Sequence, residues 1–198
     1  PENEERRLET LSIYEDVATE AQETLDQLTS LAGRLLGTPA AFIAFMKKET
    51  QVMRSVTGIA SMVTERRRTF CSNVIATGEP LLIPDATKDV RFMDHPLVTG
   101  KTHLRFYFGV PLVAKSGETI GTFCVLDYKP RNLESEQQET LVLLASQAMS
   151  QLELRKKERE LTSEVYRAQR AEARFRRLLD ASPDAIILLD GEEIVAHN

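Results

Sequence analysis

Tryptophan is missing from this chain, cysteine occurs only twice in 198 residues, and no apolar run approaches the roughly 20 residues that a bilayer-spanning helix needs. Each shortage excludes a class of protein. Cys71 and Cys124 stand far apart, with no CxxC and no clustered histidine, so neither a disulfide framework nor a zinc site is indicated and both read as reduced thiols. Positive charge is not in excess. At a net charge of -5 the chain lacks the basic face that displaces counterions from phosphates, so nucleic acid is not an expected partner, and the run Arg66-Arg67-Arg68 reads as solvated. There is no glycine-rich phosphate loop, no kinase histidine box and no metal-ligand motif. The opening Pro1-Glu-Asn-Glu-Glu-Arg-Arg carries no apolar segment of the secretory type, so a cytoplasmic address and no membrane contact are expected.

What is present is an ordinary globular composition, 42% hydrophobic and 28% charged, with enough chain for one core of roughly 130 residues plus a long helix. Leu8, Leu11 and Tyr14 mark one helical face. Thr19-x-x-Gln22 offers a capping box that restarts the helix, and Leu25, Leu28, Leu31, Ala32, Leu35 and Leu36 continue at helical spacing until Gly37-Thr-Pro39. Residues 40–46 and 51–57 read as a hairpin around a polar turn. Residues 58–69 look irregular, 71–76 fit a short helix closed by Gly78 and Pro80, and 81–83 form a brief strand. Residues 84–103 read as a long ordered loop of the kind in which ligands are met. Two strands, 105–113 and 119–128, join through Lys115-Ser-Gly117. Five strands between terminal helices predict an antiparallel sheet in an α+β domain.

From residue 133 to residue 179 the chain is polar and helix-forming, with a second capping box at Ser135-x-x-Gln138. A helix of about 45 residues would be nearly 70 Å long, more than the width of a small domain. Its apolar positions form a seam at Leu141, Ala145, Ala148 and Leu152. After the charged stretch 155–160 the seam resumes in shifted phase at Leu161, Val165, Ala168, Glu172, Phe175 and Leu179. So narrow a stripe predicts a parallel coiled-coil homodimer, with Leu141, Ala145, Ala148, Leu152, Leu161, Val165, Ala168 and Phe175 as its interface.

Specific words add a family likeness. Leu31-Ala-x-x-Leu-Leu-Gly-Thr-Pro39, Pro84-Asp-Ala-x-x-Asp-x-Arg-Phe92, Pro96-Leu-Val-x-Gly100, Arg105-Phe-Tyr-x-Gly-Val-Pro-Leu112 and Gly121-Thr-Phe-Cys-Val-Leu-Asp127 together resemble the bacterial GAF sensor family over about residues 8–152. The tail Phe175-Arg-x-Leu-Leu-x-Ala-Ser-Pro-Asp-Ala-Ile-Ile-Leu-Leu-Asp190 resembles the entry to a PAS domain, with strands at 185–190 and 193–198. The resemblance implies a GAF domain over 1–152, a signalling helix over 153–180 and the start of a PAS domain over 181–198. It also implies the sensory half of a histidine kinase of a two-component system, or of a cyclic-dinucleotide enzyme, with the output module further along the same chain. By the same likeness an unidentified small molecule would sit between the sheet and the loops of residues 64–103, lined by Phe70, Cys71, Asp85, Arg91, Phe92, His95, Arg105 and Tyr107.

Those residues have plainer readings too. Asp85, Asp89, Asp94 and Arg91 are commonly loop-capping groups, and His95 and His103 lack partners at metal-ligand spacing, which argues against haem. Cys71 is followed by Ser72 where bilin-binding relatives commonly carry histidine, so a bilin is not expected. The Asn-Lys, Phe and Asp-Glu signature of cyclic-nucleotide-binding members is missing. No cofactor is identified. As an enzyme, the chain would be a GAF-type free methionine sulfoxide reductase; that needs an attacking and a resolving thiol, and Cys124, mid-strand between Phe123 and Val125, reads as inert. The expectation is a sensory relay with no catalysis in this stretch. The alternatives are a dimerisation spacer whose pocket is packed shut, a helix that docks a partner protein, and the reductase.

Overall fold

The structure, a computed structural model, describes residues 3–180, 187–190 and 193–197. Helix α1 (Glu4–Glu20) starts where the Asn3 side chain accepts a hydrogen bond from the Arg6 backbone N–H (3.1 Å), and Glu4 and Glu5 in its first turn suit the positive end of the helix dipole. Ala21 interrupts it and α2 (Gln22–Leu36) follows without a side-chain cap. The capping box expected at Thr19 and Gln22 therefore does not form. Thr19 is still inside α1, and the Gln22 amide donates instead to Asp26 Oδ1 (2.9 Å) and the Arg54 carbonyl (2.8 Å), tying the helix start to the sheet. Gly37, at φ +62°, closes α2 in the left-handed conformation that glycine adopts without strain.

The sheet has six strands where the sequence suggests five. In order across the sheet they are β3 (Val63–Glu65), β2 (Thr50–Thr57), β1 (Ala40–Met46), β6 (Thr119–Asp127), β5 (Phe106–Val113) and β4 (Leu81–Ile83), and every neighbouring pair is antiparallel. The extra strand, β3, lies in the stretch that reads as irregular. It is three residues long and mostly exposed, so it carries no alternation of apolar and polar residues by which to know it.

Central strand β1 is buried along its whole length because both of its faces are covered. Ala41, Ile43 and Phe45 face α1 and α2, together with Phe106, Phe108, Val110, Phe123 and Val125. Ala40, Phe42, Ala44 and Met46 face the other way, into a layer made by α3 (Cys71–Thr77), the loop of residues 84–103 with its short helix α4 (Pro96–Thr99), and the inward residues Tyr107, Cys124 and Leu126. The alternation expected in β5, with Phe106, Phe108 and Val110 on one face and Tyr107 on the other, is what the two layers show.

Helix α5 (Ser135–Asp180) starts with half of a capping box, shifted by one residue from the expected one: the Glu134 backbone N–H donates to Gln137 Oε1 at 3.0 Å. Leu141, Ala145, Ala148 and Leu152 are all at most 4% exposed and belong to the core formed with α1, α2 and the sheet. This corrects their assignment to a dimer interface. The first half of the seam is enclosed by its own domain, so it offers no surface to a second copy.

Residues Pro1–Lys156 and Lys157–Asn198 form two compact units, with α5 passing from one into the other. In the second, Leu161, Val165 and Phe175 are 49%, 56% and 45% exposed. Strands β7 (Ile187–Asp190) and β8 (Glu193–His197) pair antiparallel, within the two segments where PAS-like strands are expected. Residues 181–186, 191–192 and 198, which belong to that same expectation, lie outside the described residues.

Candidate functional site

The sheet face opposite α1 and α2 gathers five of the eight candidate residues. Phe70 stacks on Phe92 with ring centroids 4.3 Å apart and planes 14° from parallel, and it meets His95 at 4.8 Å and Tyr107 at 5.2 Å. Cys71 follows Phe70 at the first position of α3. Phe70, Cys71, Phe92 and Tyr107 are at most 4% exposed, so the aromatic rings fill the space between sheet and loop with one another. Stacked rings at this spacing add of the order of 1 kcal/mol beyond the area they bury.

His95 caps α4: its Nδ1 accepts the Leu97 backbone N–H at 3.1 Å, which places the proton of the neutral ring on Nε2. Nε2 is buried and lacks a well-aligned partner. Burial lowers the His95 pKa below its ordinary value; the Arg68 carbonyl opposes this in part, and the Arg68 charge adds to it.

The other three candidates are placed elsewhere. Asp85 folds back on its own loop, where Oδ1 accepts from the Thr87 hydroxyl (2.7 Å) and backbone (3.1 Å), and the Thr87 hydroxyl contributes most to holding its carboxyl below the usual range. It borders an open cleft of about 480 Å³ shared with Lys88, Asp89 and Arg131. Arg91 makes a two-pronged ion pair with Asp89 (2.9 and 2.6 Å) and lies 5.2 Å from the centre of the Phe92 ring, covering that ring from outside. Arg105 donates to the carbonyls of Val98 (3.1 Å) and Leu104 (2.9 Å), pinning α4 beside β5. Asp85, Arg91 and Arg105 are thus loop-fixing groups: each spends its hydrogen bonds on backbone or on a neighbour rather than turning into the aromatic layer. Among the described residues, no three His, Cys, Asp or Glu side chains converge on a metal position.

A residue that the sequence does not associate with this layer is Cys124. Its sulfur lies 3.6 Å from that of Cys71, and the Tyr107 hydroxyl sits 3.3 Å from one and 3.1 Å from the other. The sequence reads Cys124 as an inert mid-strand thiol and gives no sign that it lies against Cys71. In the hairpin a register shift between Leu112 and Val113 places Gly109 opposite Cys124, so the turn by itself does not give this pairing, and Tyr107, two residues along the same face, has room to lie across Gly109. A Cβ on Gly109 would come within 2.2 Å of the Tyr107 hydroxyl oxygen. Gly109→Ala is accordingly expected to cost about 1 to 2 kcal/mol by overpacking, and to pull the phenol away from the sulfurs. Urea unfolding together with the near-ultraviolet tyrosine signal measures both; an unchanged midpoint would count against this packing.

Burial raises the pKa of both thiols, and their neighbours set the two apart. At Cys71 burial is outweighed by the adjacent Cys124, Thr122 and Tyr107 side chains and by the Cys71 backbone N–H, giving a net lowering. At Cys124 burial and the neighbouring Cys71 together push the thiol well up. Tyr107 is likewise raised by burial and by the sulfurs, and its phenol is protonated and able to donate.

Comparison with known proteins places this geometry. A cyclic di-GMP phosphodiesterase of Pseudomonas aeruginosa is 34% identical over 134 residues, a match that covers 66% of this chain but 22% of the relative's length. In fold, the chain is similar to the GAF domain of a phosphoenolpyruvate-protein phosphotransferase from Coxiella burnetii (TM-score 0.59, 14% identity, 75% of this chain and 95% of that one). It is similar also to the free methionine-R-sulfoxide reductase of Neisseria meningitidis (TM-score 0.57, 15% identity, 75% and 93%). Residues 20–152 match the model of the GAF domain, and with the six-stranded sheet and its flanking helices this chain belongs to the GAF domain family, typically sensory and regulatory domains of signalling proteins.

Proposed function

We propose that this GAF domain is the sensory input of a cyclic-dinucleotide signalling protein, and that it passes its state along α5 to a PAS domain beginning near residue 181 and to an output module beyond it. The observation that carries the reading is the change in the seam of α5. Up to Leu152 the seam is buried on its own domain, whereas at Leu161, Val165 and Phe175 it is exposed at heptad spacing and unsatisfied by the chain itself. A second copy bearing the same stripe in parallel is the partner that fits, with residues 155–160 between the two phases as the element that shifts. The Pseudomonas aeruginosa phosphodiesterase, with 34% identity, favours cyclic-dinucleotide turnover over a histidine kinase as the output. The stacking of Phe70 on Phe92 favours a second reading, in which the site is packed shut and the domain serves as a dimerisation spacer.

Native mass spectrometry of the chain and of its Leu161→Glu/Val165→Glu variant tests both parts. The wild type is expected as a dimer and the variant as a monomer at the same concentration, with an increase of at least about tenfold in the dissociation constant, equivalent to 1.4 kcal/mol. Equal dimer fractions would sink the coiled-coil relay. A dissociable small mass on the wild type supports a ligand-binding sensor, and bare chains support the spacer.

A further inference from the structure

The relay gives no role to the two cysteines, yet the fold brings them into contact. Their sulfurs are 3.6 Å apart, at van der Waals distance, and the two cysteines are 2% and 0% exposed. A disulfide needs a sulfur separation of about 2.05 Å, so closing the gap takes roughly 1.5 Å of movement, within reach of two side-chain rotations and a small shift at the first turn of α3. Both thiols share one donor: the Tyr107 hydroxyl lies 3.3 Å from the Cys71 sulfur and 3.1 Å from the Cys124 sulfur, so it can stabilise a thiolate formed at this pair. Cys71, on the short helix α3, is the sulfur assigned the attack, and Cys124, in the middle of β6, the one that resolves it. Gly109, opposite Cys124, provides the room that lets the phenol reach both.

We propose that Cys71 and Cys124 form a two-electron redox centre, which hydrogen peroxide converts to an intramolecular disulfide. The Cys71 thiolate attacks one peroxide oxygen; an S–O bond forms, the O–O bond breaks, and the departing hydroxide takes up the thiol proton as water. Cys124 then attacks the Cys71 sulfenic sulfur; the S–S bond forms, the S–O bond breaks, and a second water leaves with the Cys124 proton. Two thiols are oxidised by two electrons, and one peroxide is reduced to two waters. Both sulfurs are covered, so peroxide enters through local opening of the layer, which sets the rate but not the product. The bond draws the start of α3 towards β6. Phe70, the preceding residue, is the ring on which Phe92, His95 and Tyr107 pack, so the change is transmitted directly into the sheet-facing aromatic layer. This chemistry does not depend on the dimeric relay.

The test uses the full chain, reduced, desalted and exposed to graded hydrogen peroxide, then denatured and alkylated for intact mass measurement. The native chain is expected to lose both alkylation sites and about 2 Da, and to regain both sites with dithiothreitol, while Cys124→Ser is expected to gain about 16 Da or more at Cys71 because nothing resolves the sulfenic acid. The same chain unfolded in urea gives the dose that oxidises exposed thiols. If both native thiols are still alkylatable after prolonged exposure at that dose, or if the only disulfides join separate chains, the proposal is overturned. Should Cys124→Ser fold poorly, the wild-type mass and its recovery decide alone.

Discussion

Leu152→Ala is expected to lower the unfolding free energy by about 3 kcal/mol, and Val165→Ala, on the same helix, by less than about 0.5 kcal/mol. Leu152 is 0% exposed and packed in the core of α1, α2 and the sheet, so truncation removes its transfer energy and leaves a cavity that rigid neighbours fill only in part. Val165 is 56% exposed and gives up little within one chain. The measurement is urea unfolding followed by circular dichroism, at protein concentrations low enough that the midpoint no longer depends on concentration, since any association adds to the apparent stability of the wild type at Val165. Equal losses at the two positions would mean that the two halves of the seam have the same kind of partner, contrary to their burial.

This contrast marks where the sequence was informative about α5 and where it was not. The 3.5-residue rhythm is the same whether an apolar stripe meets its own sheet or a second helix, so periodicity alone assigned Leu141, Ala145, Ala148 and Leu152 to an interface that their own domain occupies. The change of phase after Leu152 was the better clue. It falls beside the boundary at Lys156 between the two units. Elsewhere, long apolar strands and glycine-closed helices were plain: Gly37 and Gly78 both stop helices in the left-handed conformation, and the β5–β6 hairpin follows from Lys115-Ser-Gly117. Strand β3 was not legible, because an exposed three-residue edge strand owes its existence to pairing with Thr50, Gln51 and Val52 rather than to its own composition.

The site divides along the same line. Aromatic residues within a loop that covers a sheet were a sound signal, since a ring has to be buried somewhere, and Phe70, Phe92 and Tyr107 meet. Charged residues in the same words misled: Asp85 and Arg91 satisfy themselves within a few residues of their own position, which sequence spacing permits but does not require. The thiol pair was hidden for a different reason. Cys71 and Cys124 reach each other through packing of α3 on β6, a contact that neither local pattern specifies, and only the strand register could have shown that Tyr107 and Cys124 share a face.

Glu4→Gln is expected to cost about 2 kcal/mol at pH 7, and the cost should fade in acid. Arg7 is 1% exposed, and its guanidinium makes a two-pronged pair with Glu4 at 2.9 and 2.7 Å, while Arg66 reaches the same carboxylate. Removing one partner of a buried pair costs about 3 to 5 kcal/mol because the other charge stays buried and uncompensated. The Glu4 side chain keeps 29% of its exposure, so solvent screening reduces that figure. Burial alone would raise the Glu4 pKa; the hydrogen bonds and charges of Arg7 and Arg66 overcome it and bring the pKa down from 4.5 to about 2. A carboxyl depressed in the folded state contributes stability that is complete above its unfolded pKa and disappears as pH falls through the folded one. The gap between wild type and Glu4→Gln should therefore be constant from neutral pH down to about 5 and narrow progressively towards pH 2, as read by urea unfolding at pH 7, 4 and 2.5. Arg7→Met supplies the complementary measurement: replacing the buried cation by an apolar chain of similar length removes the uncompensated charge, so it should cost less than Glu4→Gln at pH 7. If Arg7→Met costs more, Arg7 contributes through contacts other than its pair with Glu4.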